Sequence, residues 1–286
     1  MKKNLKSMSL VLGVLLLTAA SCSKDESTNE ELSSTEVISA TELKFSDETE
    51  MISEEITAIA EDVYAADEIS TTSKMNYHSD YLPECVLVTI ELTDTTKDVT
   101  LNFGEGCEMP NGNALSGNVY LSYALDMEAA SNTISLNLEN FVFNGVAVEG
   151  SASIVRVRSN ENGNPQGTAN ANFTSTWPDG NTTSYTGIRT REWIEGFGTG
   201  FWGDNVFLIT GKRTYVSRAG NEFVKEVITP LRREMSCRFI VSGVLEISRF
   251  GNTVILDFGD GSCDAKGILT YEDGTEQEIF LRRFKN

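Results

Sequence analysis

The chain has 286 residues, 42 acidic against 23 basic, with one histidine, five cysteines and 40% hydrophobic residues. That is enough apolar material for one sizeable core or two small ones. The net charge of −19 argues against nucleic acid as a partner, because phosphate binding needs a basic face. A single histidine argues against zinc sites built on several imidazoles and leaves one candidate base for a histidine-containing triad. The one long apolar run lies at the extreme N-terminus, which argues against a polytopic membrane protein.

In chain order, Lys2, Lys3 and Lys6 form a positive region before the apolar run Met8–Ala20. That run is shorter than the roughly 20 residues a spanning helix needs, and its flanks are those of a secretory signal peptide over residues 1–21. Thr18-Ala19-Ala20-Ser21-Cys22 resembles a bacterial lipobox, in which the signal is cut before the cysteine and the cysteine is acylated. Several acyl chains on Cys22 would satisfy the two-signal requirement for durable anchoring. Ser23-Lys24-Asp25-Glu26 resembles the short acidic signal found on surface-displayed lipoproteins, so the expected location is the outer membrane, facing the cell exterior.

Residues 23–73 carry 15 acidic and 2 basic residues, and residues 22–45 read as a lipidated, acidic linker extended by self-repulsion. Asp47 is an acceptable N-cap with Glu50 three residues on. Ile52, Ile56, Ile59 and Val63 then form one apolar stripe, so residues 46–81 read as an amphipathic helix, about 48–67, and a linker. Two roles are open for that helix, a strut packing its stripe on the domain or a partner-recruiting element. His78, just beyond, reads as exposed and inert.

From residue 82 to residue 286 the apolar period becomes 2. Strand-like runs lie near 118–125, 133–138, 141–148, 152–158, 184–194, 205–215, 222–229, 239–248, 268–271 and 278–283. Turn signals at Asn160–Pro165, Pro178–Asn181 and Tyr271–Gly274 separate them. The expected fold is all-β, an antiparallel sandwich or open barrel.

Two stretches repeat. Ile90-Glu91-Leu92 followed by Val99 to Cys107 matches Leu245-Glu246-Ile247 followed by Val254 to Cys263. If Leu92 faces Val99 and Ile247 faces Val254, then Cys85 and Cys237 each fall one residue from facing Cys107 and Cys263. A bulge at the glycine-rich step would absorb that offset. The expected bridges are therefore Cys85–Cys107 and Cys237–Cys263, which with Cys22 use all five cysteines.

No catalytic group stands out. Gly198–Gly203 fits the dinucleotide-binding expression G-x-G-x-x-G, but a strand-like run follows it instead of a helix. Gly211-Lys212 lacks the rest of a P-loop. Asp257, Asp260 and Asp264, with Asn102, Glu105 and Glu108, surround the glycine-rich steps. Calcium is the sharp reading there and a disulfide-closed turn the plain one; a glycosidase pair of Asp260 and Glu105 is a third. The best binding candidate is the aromatic loop, with Trp193, Phe201 and Trp202 to stack on a ligand and Arg189 and Arg191 as a polar rim. Trp177, Tyr185 and Phe197 lie nearby.

The signal, the acidic tether, the paired F-G-x-G-(S)-C segments and the run Asp257–Asp264 resemble those of flavobacterial-type outer-membrane and surface lipoproteins of the Bacteroidota. The resemblance spans most of the chain from residue 82 and implies a lipoprotein with a β-rich ectodomain. It brings no established catalytic residue, cofactor or metal. The expectation is a non-enzymatic, lipid-anchored binding or accessory protein with a glycan or an outer-membrane protein as partner. The alternative is a structural envelope protein acting through protein contacts.

Overall fold

In the computed structural model, residue 38 and residues 40–73 and 79–281 are described, and residues 37–286 form one compact unit. The signal, Cys22, Ser23–Glu26 and His78 lie outside the described residues. Among the described residues, no helix is long and apolar enough to cross a membrane.

A single antiparallel sheet carries the fold. Its strands are β1 (Leu87–Leu92), β2 (Thr96–Asn102), β3 (Cys107–Glu108), β4 (Ala114–Ala124), β5 (Ser131–Phe143), β6 (Val146–Val157) and β7 (Gln166–Thr176). They continue with β8 (Thr182–Glu195), β9 (Val206–Val216), β10 (Glu222–Glu234), β11 (Ile240–Arg249), β12 (Asn252–Asp260), β13 (Lys266–Tyr271) and β14 (Glu276–Phe280). Each strand pairs with the next in sequence, except that β2 passes over β3 to β4, and β3 is a short addition to β4. The architecture is one open sheet and not a two-layer sandwich.

The helix α1 (Ala40–Ser73) precedes the sheet and is longer than its apolar stripe indicates. It begins inside the stretch read as linker, and Asp47 and Glu50 are interior helical residues, not a cap. The Ile52, Ile56 and Ile59 stripe is buried as expected. The opposite face is buried too, for every residue from Ser46 to Asp62 has lost its solvent. A helix lying on a flat sheet buries one stripe, whereas here successive strands reach successive faces. Tyr64 and Asp67 meet β4 and β2, Glu68 meets β6, Glu54 and Glu61 meet β8, and Glu50 meets β9 and β10. The sheet curls round α1, and the two share one hydrophobic core.

Such curvature needs breaks in the pleat. Gly243 lies at the register shift between β11 and β12, and Gly211 takes φ +136°. A Cβ at Gly211 would stand 2.2 Å from the Ile188 carbonyl oxygen, so only glycine lets β8 and β9 approach there.

Both expected bridges, Cys85–Cys107 and Cys237–Cys263, are formed. In the second hairpin Ile247 faces Val254 as the repeat implies. In the first, Leu92 faces Lys97 and Ile90 faces Val99, a slip of two residues. The cause is the turn: the Thr93 hydroxyl accepts from the Thr95 and Thr96 amides, closing a three-residue connection. A two-residue slip keeps every side chain on its face. Val99, Leu101 and Phe103 therefore point into the core like Val254, Leu256 and Phe258.

Candidate functional site

The residues expected at the aromatic loop divide between the interior and the surface. On β8 the inward positions are Tyr185, Arg189, Arg191 and Trp193, and all four are buried. The Arg189 Nη2 lies 2.9 Å from Glu54 and the Arg191 Nη1 3.2 Å from Glu61. The two arginines are thus partners of α1 and not the rim of an exposed platform. Burial is the largest single influence on Arg189 and opposes its charge, but Glu54, Tyr185 and Glu61 together hold the guanidinium above its usual pKa. Burial pushes the neighbouring Tyr185 phenol up to about 12.

Trp193 packs tilted against Phe207 at 5.1 Å within the core and edge-on against the exposed Phe197 at 5.0 Å. Trp177 is likewise buried, its indole N–H donating to Thr183. Phe201 is 57% exposed. Trp202 borders an open cleft and, with Arg191 and Trp193, lines a second, smaller pocket of about 20 Å³.

The wider inward pattern is a seam of buried ion pairs. Arg156 meets Glu68 at 3.0 Å, Lys225 meets Glu50 at 2.7 Å, and Arg213 also contacts Glu50. Glycines make room for the guanidinium stems. Gly167 stands opposite both Arg156 and Arg191, Gly187 opposite Arg213, and Gly211 opposite Arg189. A Cβ on Gly167 would lie 2.5 Å from the Glu61 carboxylate. Ten of the fifteen acidic residues between 23 and 73 belong to α1. Much of the acidity of residues 23–73 therefore lies in the helix, where Glu50, Glu54, Glu61 and Glu68 meet cations inside the fold. One helix carboxyl departs from this pattern. Desolvation raises the Asp62 pKa to about 7, although the Ser79 hydroxyl donates to it.

The cleft beside Trp202 has a volume of about 240 Å³. Met51 of α1 and Met235 form apolar wall, and the segment after β3 contributes Pro110, Asn111 and Asn113. Arg233, Ser236, Cys237 and Arg238, at the second disulfide, complete the lining. Its carboxylate, Glu55, accepts at Oε2 from Tyr81 at 2.6 Å and Asn111 at 2.8 Å, and Arg233 lies 3.6 Å from Oε1. Arg233 also donates to the carbonyls of Glu234 and Cys237. The Arg238 Nη2 is buried without a hydrogen-bond partner. Trp202 is held in place by Asp80, whose carboxylate accepts its backbone N–H at 2.6 Å, and by the Tyr81 ring at 6.1 Å. An indole wall, amide groups and an unpaired guanidinium suit an oxygen-rich ring bearing a negative charge.

The acidic residues at the glycine-rich steps serve their own turns. Asp257 accepts the Gly259 amide, Asp260 the Ser262 amide and hydroxyl, and Asp264 the Lys266 amide, while Asn102 accepts the Gly104 amide. Among the described residues, no group of three or more His, Cys, Asp or Glu is placed to hold a metal ion.

Comparison with known proteins adds no relative. No family model matches the chain, and no curated protein or solved structure matches it either. The reading of the cleft rests on its own chemistry.

Proposed function

We propose that this protein is a lipid-anchored binding protein of the outer membrane, tethered through Cys22 and facing the cell exterior. In this reading the cleft beside Trp202 takes a sugar residue carrying a carboxylate. The observation that carries the proposal is the Arg238 Nη2, a buried and unpaired donor beside an indole wall and two asparagines. A buried donor left unmade costs about 1–3 kcal/mol, which a ligand carboxylate would offset. Binding rather than turnover is favoured because Glu55, the carboxylate of the cleft, is already bound by Tyr81, Asn111 and Arg233.

The test uses the chain from Ser23 onward, which lacks the acylated residue and keeps α1. Titration with oligogalacturonate, measured by calorimetry, is expected to saturate, and neutral dextran oligomers are expected to bind at least about tenfold more weakly. Arg238→Gln and Trp202→Ala should each weaken uronate binding by about tenfold or more, with the urea unfolding midpoint of Arg238→Gln unchanged. Equal binding of charged and neutral sugars, or binding unaffected by both substitutions, would overturn the assignment. A second reading, a structural envelope protein acting through protein contacts, is favoured by the exposed apolar edge strand β1.

A further inference from the structure

The two hairpins of the repeat differ in what lies beside them. In the second, Leu245 and Ile247 of β11 face Leu256 and Val254 and are buried. There β10 covers the far edge, with Val227 opposite Leu245 and Lys225 opposite Ile247. In the first, Val88 and Ile90 of β1 hold the same places, facing Leu101 and Val99. They are 43% and 51% exposed, and among the described residues no strand lies beyond β1.

Edge strands are ordinarily blunted by lysine, proline or a bulge. Strand β1 has none of these. It reads Leu-Val-Thr-Ile-Glu-Leu, and all six residues pair with β2 without a register shift. The Cys85–Cys107 bridge fixes the chain just before it. The edge is therefore held extended before anything docks, which lowers the ordering cost of association. Between β1 and the second half of α1 lies an open groove of about 430 Å³, lined by Val63, Ala66, Leu82, Val86, Val88 and Ile90. Its lining is mainly apolar, with Asp62, Asp67, Glu84 and Lys97 as the charged members, and it lies where an added strand would lay its inward side chains.

Charge decides between occupants. On the outer face Glu91 stands directly opposite Asp98, a like-charge pair that an added strand could relieve with a cation. A second copy of β1 supplies none in any antiparallel pairing that keeps faces together. Centred on Ile90, the pairing brings Thr89 against Glu91. Centred on Thr89 it brings Leu87, and centred on Glu91 it opposes the two carboxylates. At the groove Lys97 pairs with Asp67 at 2.5 Å.

We propose that β1 is a docking edge for an extended segment of another protein, aliphatic on the face that covers the groove and basic on the face that meets Glu91. The segment adds as the next strand, with its backbone on the free edge of β1 and its alternate side chains in the place that Val227 takes beside β11. This docking is independent of the cleft beside Trp202.

The probe is the capped peptide Lys-Val-Lys-Val-Lys-Val-Lys, added to the chain from Ser23 onward. Amide hydrogen exchange over residues 87–92 is expected to slow by about tenfold or more at saturation, with the rest of the sheet unchanged. Ile90→Asn, at an exposed site, should weaken peptide binding by about tenfold. Glu91→Lys should do the same, and should reverse the preference toward Glu-Val-Glu-Val-Glu-Val-Glu. Absence of slowed exchange at 87–92 would overturn the proposal, as would binding indifferent to Glu91→Lys. Protection of 87–92 that rises with protein concentration alone, with a dimer in sedimentation, would instead assign the edge to a second copy.

Discussion

Replacing Asp62 by Asn should make the protein more stable at alkaline pH and remove a pH dependence that the buried carboxyl confers. Asp62 is buried in the fold with a pKa of about 7, against about 3.9 for an unfolded aspartate. Because the folded value is the higher one, the native state holds the extra proton between those limits. Stability therefore falls as pH rises through that window and levels off above 7. The full interval of about 3 units corresponds to about 4 kcal/mol, and the part between pH 5.5 and pH 7 to about 2 kcal/mol, as orders of magnitude. Asparagine keeps an oxygen for the Ser79 hydroxyl, which donates to Asp62 at 2.9 Å, and carries no charge to desolvate.

The assay is urea unfolding of the chain from Ser23 at pH 5.5, 7.0 and 8.5. The background is His78→Gln, which removes the one histidine of the sequence, because an ordinary imidazole ionises near pH 6.5. The parent should lose about 2 kcal/mol between the first and last pH, and Asp62→Asn should lose much less. At pH 8.5 the variant should be the more stable of the two. Parallel pH curves for parent and variant would refute the reasoning, because they would show Asp62 to be ionised in the native state throughout.

Two further outcomes follow from packing and turn geometry. Arg191→Met should cost about 3–5 kcal/mol by leaving Glu61 buried without its cation, and adding Glu61→Gln should recover most of the loss; a double-mutant cycle in urea tests the coupling, and strict additivity would count against it. Phe250 takes φ +50° ahead of Gly251 at +88° between β11 and β12 and is 78% exposed. Phe250→Asn creates the favoured Asn-Gly hairpin turn and should raise stability by about 0.5–1 kcal/mol at an unchanged urea slope.

What could be read from the residues depended on distance along the chain. Both disulfides were legible because each closes within one copy of a repeat, and the second hairpin kept the implied register. The first slipped because a threonine side chain, invisible to apolar periodicity, set its turn. Strand β7 escaped because its inward positions Gly167, Ala169 and Ala171 are small, sized to admit α1 and its carboxylates. The first turns of α1 looked like linker because its polar residues find partners only in strands far along the chain. A phase signal was present nonetheless: on β8 the arginines share a face with Tyr185 and Trp193, while Ile188 faces solvent. Of the cleft, Trp202 could be picked out as a binding residue and Cys237 as a disulfide partner. Asn111 and Arg238 join it through folding alone, and no spacing announces them.

The burial of α1 also sets the order of events during synthesis. Glu50 is made 175 residues before Lys225, its partner in the finished protein. At translation rates of about 5–20 residues per second, that gap lasts on the order of ten to thirty seconds. During this time Glu50 and Glu54 repel each other one helical turn apart with no cation supplied by the sheet. No N-terminal portion can settle early and wait. The curled sheet has to acquire β8, β9 and β10 before the helix is neutralised, so α1 stays without those cations until β10 has been made. Contacts this distant in sequence make for slow, cooperative collapse, in which α1, made before every described strand, is among the last elements to be enclosed.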